Sequence, residues 1–599
     1  MSKFSILFAC VTLFFGRLGC VVRASITYTG AALQDQVDWA TLPGTEKILP
    51  DLTFNAFSGY LSVDGEEVKS KKLHYWLVES QSAMPESDPV AFWTNGGPGC
   101  SGMLGMMTEH GPLKMMENGE LTLNPYSHTL LSNILFVEQP VGVGFSYSEY
   151  VSDYNSSDAT AATDNYNLLL AFMERFPHFV SSDLYITSES YGGHYMPTLA
   201  REILTQNDIG VNPTLTFKGF LVGNPYVSFY SGVGSMLDTF WYRSLVAQPV
   251  WESFQEHCPE EWFREPLQFN GEDDDFVSDA QAEACNEVLT ALITNAQFKT
   301  NVYAIDWPVC PEGSPLNRDD DESLSHSGMS DSDSVSKRRR HLLADYLSGA
   351  NRVHRRQGQR LLSILMETLS SKLERARRTS AAAAVAEGAG ERSMLQLPLV
   401  QVKMSSGQEE DNHHRQLFAS LEEDGVSYNA CEDWWILDWF NRDEVKAALH
   451  VKASINWREC ARPPFYYNET DVLLDVVPIY REVLAHPAAQ HLKILIFSGT
   501  DDSVCSTSGT QGWVYDLGYN IDPDMEWLPY TVDNQQAGYV TGFLKTPLKF
   551  ATVLNAGHEV PTYRPRESLA LWRAYLTDAW ASRDTLDAND DGGSGAENR

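Results

Sequence analysis

Positive charge is what this sequence has least of for its size: 44 Lys and Arg stand against 80 Asp and Glu in 599 residues, a formal net charge of -36. Phosphate backbones are gripped by clustered cations, so nucleic acid is excluded as a partner. An acidic compartment suits such a surface better, because carboxylates that take up protons there repel one another less. Long apolar runs are missing beyond the N-terminus, and no later stretch reads as a membrane span. Cysteine is sparse, with nine in all. Cys10 and Cys20 fall in the N-terminal stretch, and the remaining seven form an odd set, so disulfides in an oxidising compartment leave one thiol over. No metal or organic cofactor is implied.

What is present starts with a targeting pattern. Lys3, the apolar run Phe4 to Phe15 and the small residues Gly19, Cys20, Ala24 and Ser25 have the layout of a cleavable secretory signal over residues 1–24. A membrane anchor is the alternative, but Arg17 interrupts the run short of the roughly 20 apolar residues a span needs. Asn155-Ser-Ser and Asn468-Glu-Thr are candidate glycosylation tripeptides, in keeping with export. A composition 43% hydrophobic, with 15 Trp and 26 Tyr, is that of a globular protein with a substantial core.

Apolar runs bounded by turn residues predict strands at Pro89–Thr94, Asn133–Glu138, Leu184–Thr187, Phe217–Val222, Leu492–Ser498 and Phe550–Leu554. Helical patterns at Ala159–Phe176 and Pro197–Thr205 lie between some of them, which implies an α/β fold with a mostly parallel sheet covered on both faces. Composition then shifts: residues 318–415 hold 16 basic against 14 acidic side chains, with Ser-, Ala- and Gly-rich patches. Lys337-Arg-Arg-Arg340, Arg355-Arg356 and Arg375-Ala-Arg-Arg378 suit processing proteases, unless this is a solvated lobe that stays uncut. The expected organisation is a first core part at 25–250, an inserted cap at 251–430 with a low-complexity basic segment near 312–425, a second core part at 431–585 and a disordered tail at 586–599.

The chemistry begins at Leu184-Tyr-Ile-Thr-Ser-Glu-Ser-Tyr-Gly-Gly-His-Tyr195, an apolar strand followed at once by Ser190 and two glycines. A strand-to-helix turn of this kind lifts a serine hydroxyl above a sheet, with small residues two before and two after it, here Ser188 and Gly192. Serine needs a histidine to take its proton and a carboxylate to hold that histidine's tautomer. In an α/β-hydrolase these follow in the order Ser, Asp, His, on loops after later strands. Gly499-Thr-Asp-Asp-Ser-Val-Cys505 and Asn555-Ala-Gly-His-Glu-Val-Pro561 supply both in that order. Trp93-Thr-Asn-Gly-Gly-Pro-Gly-Cys-Ser-Gly102 adds consecutive glycines whose N–H groups can face a tetrahedral intermediate.

Together with Glu138-Gln-Pro-Val-Gly-Val-Gly-Phe-Ser-Tyr147 and Val222-Gly-Asn-Pro225, these segments resemble the serine carboxypeptidase family, of the α/β-hydrolase fold, over roughly residues 30–580 apart from the insert. The resemblance implies that Ser190 attacks, His558 is base and then acid, and Asp502 orients His558. It implies an oxyanion hole from the amides of Gly97 and Tyr191. Asn95, the amide of Gly96 and Glu189, with Glu109 beside it, would bind a substrate's free C-terminal carboxylate, and Glu559 would help shape the pocket for the departing residue. It further implies disulfides Cys100–Cys460, Cys258–Cys285 and Cys310–Cys431, leaving Cys505 as a thiol near the site, and excision of the insert behind the third bridge. The partners would be peptide and protein C-termini, in a secreted or vacuole- or lysosome-like setting, with a homodimer left open. Ser188 and Thr500 depart from the family's usual glycine and aspartate. Two rivals remain: acyl transfer to an alcohol, which the retained Asn95 disfavours, and a non-catalytic binding role, which an intact Ser190, Asp502 and His558 disfavours.

Overall fold

Ten strands share one sheet, and the central ones are mostly apolar because both of their faces are covered. The computed structural model describes residues 26–64, 71–258, 279–296, 300–310 and 428–580, with two short antiparallel strands at Leu7–Cys10 and Cys20–Arg23. In chain order the sheet strands are β1 (Ala56–Ser62), β2 (Lys72–Val78), β3 (Val90–Thr94), β4 (Asn133–Val137) and β5 (Leu184–Glu189), then β6 (Phe217–Gly223), β7 (Lys493–Gly499), β8 (Leu528–Val532), β9 (Gln535–Gly542) and β10 (Leu548–Val553). Across the sheet they run β8-β9-β10-β7-β6-β5-β3-β4-β2-β1. Pairings from β4 through β10 in the middle are parallel, and the two edges are antiparallel. Every residue of β3, β4 and β5 is buried.

Strand alternation divides the core into two layers. Phe92, Ile186 and Ile496 join one cluster with Leu168, Phe172 and Leu199, while Trp93, Tyr185 and Leu495 join another with Met106, Trp439 and Trp572. Helix α1 (Asp158–Arg175) belongs to the first layer and begins in a capping box, with Ser157 and Thr160 each bonding the other's backbone. It lies within one residue of its predicted span.

Helix α2 (Gly192–Ile209) starts five residues before the predicted Pro197. Pro197 therefore sits inside the helix, where its missing N–H leaves the Gly193 carbonyl without a helical donor. The Tyr480 hydroxyl donates to that carbonyl at 2.9 Å instead. A tertiary contact thus supplies the bond that the helix lacks.

Between the neighbouring strands β6 and β7 the chain makes a long excursion. It carries α3 (Ser235–Tyr242), α4 (Gln248–His257), α5 (Asp279–Ala296), α6 (Glu432–Phe440) and α7 (Val477–Ala485), before α8 (Pro565–Thr577) closes the fold. All three expected disulfides are present: Cys100–Cys460, Cys258–Cys285 and Cys310–Cys431. The third holds the last residue before the basic insert beside the first helix after it, Cα to Cα 5.0 Å. The basic segment near 312–425, its Arg pairs and the 586–599 tail lie outside the described residues, as does most of the 1–24 signal. Among the described residues no helix is long and apolar enough to cross a membrane.

Candidate active site

Ser190 stands between the last residue of β5 and the start of α2 with φ 58°, a conformation uncommon for a residue with a side chain. Two backbone bonds hold it there: its N–H donates to the Gly223 carbonyl at 3.0 Å, and its own carbonyl accepts from Tyr226 at 2.8 Å. The turn is crowded. A Cβ built at Gly192 would lie 2.2 Å from Ser188 Oγ, and one at Gly193 would lie 2.2 Å from the Tyr226 carbonyl oxygen. Ser188, in the place of the usual glycine, is fully buried and donates its hydroxyl to the Thr94 carbonyl at 2.6 Å. The departure is absorbed by a hydrogen bond to the next strand.

Asp502 follows β7 and His558 follows β10, and they meet with Nδ1 2.6 Å from Oδ2. Asp502 is held from several sides: Asn224 Nδ2 donates at 2.8 Å, the Val504 amide at 2.7 Å and the Cys505 amide at 3.2 Å. Asn224 Oδ1 also accepts from the Gly499 amide at 2.9 Å, so this residue couples the end of β6 to the end of β7. That explains Val222-Gly-Asn-Pro225, a motif whose role was not legible in the sequence. The His558 amide donates to the Tyr303 carbonyl at 2.7 Å, and the Tyr303 ring meets the imidazole edge-on at 5.0 Å.

The neighbouring Asp501 has a different task. It accepts from Arg243 and from the Asp306 amide, each at 2.8 Å, and burial lifts its carboxyl to about 6. Geometry therefore separates the two adjacent aspartates. Cys505 is the free, buried thiol, and burial, followed by the charges of Asp502, Glu189 and Glu559, pushes the thiol well above its usual range. Among the described residues, Asp502, Cys505 and His558 form the one metal-ligand-type group, their donor atoms within 4.8 Å of one another. Since Asp502 and His558 already hold each other there, the group reads as part of the hydrolytic site.

The glycine turn is pressed onto the elbow. A Cβ at Gly96 would lie 2.4 Å from the Tyr191 nitrogen and 2.7 Å from Ser190 Cβ, and Gly97 has φ 116°. Only glycine allows this approach. Beyond the turn, buried Glu138 accepts from Trp457 Nε1 and from the Phe145 amide, each at 2.7 Å, pairs with His74 at 2.9 Å and binds the Ser101 hydroxyl. Cys100 adds a covalent tie to Cys460.

Asn95 is oriented by two donors onto its Oδ1, Trp93 Nε1 at 2.9 Å and the Gly105 amide at 3.1 Å. Its Nδ2 must then face the acids, and it bridges Glu109 at 2.9 Å and Glu189 at 2.8 Å. Burial and the charge of Glu559 lift Glu109 to about 7, and burial followed by the charge of Glu109 raises Glu189 well above its usual range. Two buried acids bridged by one amide hold a proton between them at pH values where free carboxyls have lost theirs.

Glu559 lines a pocket with Thr108, Tyr428, Glu432 and Asp433. The last three went unrecognised in the sequence, where their only signal was adjacency to Cys431. Half-buried Lys114, also unforeseen, bonds the Thr108 carbonyl and lies in the field of Glu432 and Glu109. The glycosylation candidates lie on and directly after one small ribbon, Asn155–Ser156 paired with Tyr466–Tyr467. Asn155 is exposed, whereas the Asn468 side chain caps a helix turn and donates to Asp471 at 2.9 Å.

Comparison with known proteins agrees with this geometry. The family model described as serine carboxypeptidase matches residues 43–578. Serine carboxypeptidase-like 20 of Arabidopsis thaliana is 29% identical, covering 89% of this chain and 92% of the relative. The lysosomal protective protein of Mus musculus is 27% identical, over 91% and 94%. Among solved structures, the prohormone-processing carboxypeptidase Kex1 of Saccharomyces cerevisiae superposes with a TM-score of 0.61 at 17% identity, over 91% of this chain and 96% of that one, and so shares the fold. With a buried Asp–His pair beside an elbow serine and a family match across nearly its whole length, the chain belongs to the serine carboxypeptidase family and is a serine-type carboxypeptidase of the α/β-hydrolase fold.

Proposed function

We propose that the protein releases single amino acids from the free C-termini of peptides through an acyl-enzyme, best at acidic pH. The observation that carries this reading is the position of Glu189, next to Ser190 in the chain and joined through Asn95 to Glu109. A protonated acid pair bridged by an amide can hold a carboxylate, and it lies one residue from the nucleophile. His558 takes the Ser190 proton as Oγ attacks the carbonyl, and the Gly97 and Tyr191 amides receive the oxyanion. The departing amino acid takes that proton from His558. Water, activated by the same imidazole, then hydrolyses the ester.

The Gly96 amide completes the carboxylate cradle. Glu559, with Glu432 and Asp433 in the same pocket, makes the departing-residue site acidic and favours Lys and Arg. The acidic charge, the signal pattern and the disulfides support secretion or delivery to a vacuole- or lysosome-like compartment. Cys310–Cys431 would keep two chains together if the basic insert were removed during maturation.

The test is timed mass spectrometry at pH 5 of peptides with free and amidated C-termini, using the matured protein and Ser190→Ala. Stepwise loss from free ends only, abolished by the substitution, is expected; cleavage of amidated peptides at equal rates would refute carboxylate recognition. Glu559→Met should slow release of C-terminal Lys and Arg by about tenfold while leaving Leu unchanged, on the basis of roughly 1.4 kcal/mol for one lost charge contact.

A further inference from the structure

Another carboxylate–histidine pair lies buried against the elbow, and nothing in the reaction scheme above uses it. Asp158 Oδ2 meets His194 Nδ1 at 2.9 Å, and Asp158 Oδ1 accepts the Tyr191 hydroxyl at 3.0 Å and the Tyr467 hydroxyl at 2.6 Å. The Tyr191 ring stacks on the His194 imidazole, centroids 4.4 Å apart and planes 14° apart, and the Tyr467 ring meets Tyr191 edge-on at 5.5 Å. Tyr191, His194 and Asp158 are 2%, 0% and 8% exposed. Asp158 also sits at the first position of α1, where its amide donates to Asp471 at 2.8 Å.

Desolvating a carboxylate here is costly unless it is fully partnered. Burial works against the Asp158 charge, but His194 and the two tyrosine hydroxyls more than offset it and hold the carboxyl below its usual range. Apolar side chains could fill this space at less cost, which makes directed hydrogen bonds the distinctive property of the cluster. What those bonds fix is Tyr191, the residue directly after Ser190.

We infer that Asp158 and His194 are positioning residues that lock the Tyr191 side chain and thereby aim its backbone N–H at the oxyanion. The inference rests on the proposed role of the Tyr191 amide. Ser190 is held at φ 58°, a strained setting that relaxes unless its neighbours over-determine it. The next peptide carries the donor, so a relaxing elbow would rotate that N–H out of line. On one side the Gly96 turn crowds the Tyr191 nitrogen, and on the other Asp158 and His194 clamp the ring. His194 Nε2 is buried without a partner, so this imidazole acts through Nδ1 and its stacking face alone.

The experiment compares wild type, Asp158→Asn and Tyr191→Phe after counting intact sites by saturating fluorophosphonate labelling. For each, kcat and KM on one peptide are measured, with inhibition by a peptide aldehyde, which forms the tetrahedral oxyanion, and by a free amino acid, which does not. Asp158→Asn should lower kcat per site by about ten- to a hundredfold and weaken the aldehyde in proportion, with KM and amino acid binding within about twofold. Tyr191→Phe, which keeps the ring and loses one bond, should show the same pattern at smaller size and covers the case in which Asp158→Asn does not fold. Unchanged kcat per site in Tyr191→Phe and in any folded Asp158→Asn, or a loss carried by KM and amino acid binding, overturns the inference. A wild type that neither labels at Ser190 nor releases amino acids overturns the reading beneath it as well.

Discussion

The Asp502–His558 and Asp158–His194 pairs are built from the same two side chains at similar distances, 2.6 and 2.9 Å, yet they are mounted differently. Asp502 and His558 follow strands β7 and β10, and Asn224 and two backbone amides steady the carboxylate. Asp158 and His194 belong to the first turns of α1 and α2, and tyrosine hydroxyls fill the remaining acceptor positions. A loop lets an imidazole adjust as it gains and loses a proton; a helix turn holds it still. On the proposed roles, mounting, more than composition, separates a pair that turns over protons from one that fixes geometry.

The same substitution in both pairs gives the sharpest test. Asp502→Asn should lower kcat by about 10⁴-fold, because the histidine loses the acceptor that sets its tautomer. That is a hundredfold or more beyond the loss expected for Asp158→Asn, and equal losses at the two sites would erase the distinction.

A second test contrasts a carboxyl held charged with one held neutral. Glu109 lies above its ordinary value, at about 7, so the folded site keeps a proton that a free carboxyl loses near 4.5, and surrenders it as pH rises through 7. KM for free-ended peptides should therefore climb up to tenfold per pH unit above about 7. Glu109→Gln, permanently neutral, should flatten that limb, and an unchanged profile in this variant would remove the acid pair from substrate binding. The smallest effect isolates stability from aim. Tyr480→Phe removes the donor to the Gly193 carbonyl and should cost about 1 kcal/mol, read as a lower Tm, with kcat per labelled site unchanged.

The sequence made the middle of the sheet readable because parallel strands covered on both faces are continuous apolar runs: β3, β4, β5, β6, β7 and β10 all fall within two residues of their predicted ends. Strands β1, β2, β8 and β9 lie at the edges, where mixed polarity gives a weaker pattern, and they were not singled out. The elbow, the acid–base pair and the glycine turn were legible because each motif directly follows a strand. Asp158, Tyr467, Glu432 and Asp433 were not, since they come from far along the chain and meet only in three dimensions. Asp158 and Tyr467, for instance, are separated by 309 positions and share one hydrogen bond.

The excursion between β6 and β7 has a consequence for biosynthesis. In the proposed reaction the nucleophile is encoded at position 190, the orienting carboxylate at 502 and the base at 558, while Cys460, which ties down the glycine turn, lies 360 positions after Cys100. As the ribosome releases the chain from its N-terminus, Ser190 emerges long before anything that could activate it. A truncated or stalled product carries the serine without its base, so the order of the gene itself delays proteolytic competence until nearly the whole polypeptide has been made.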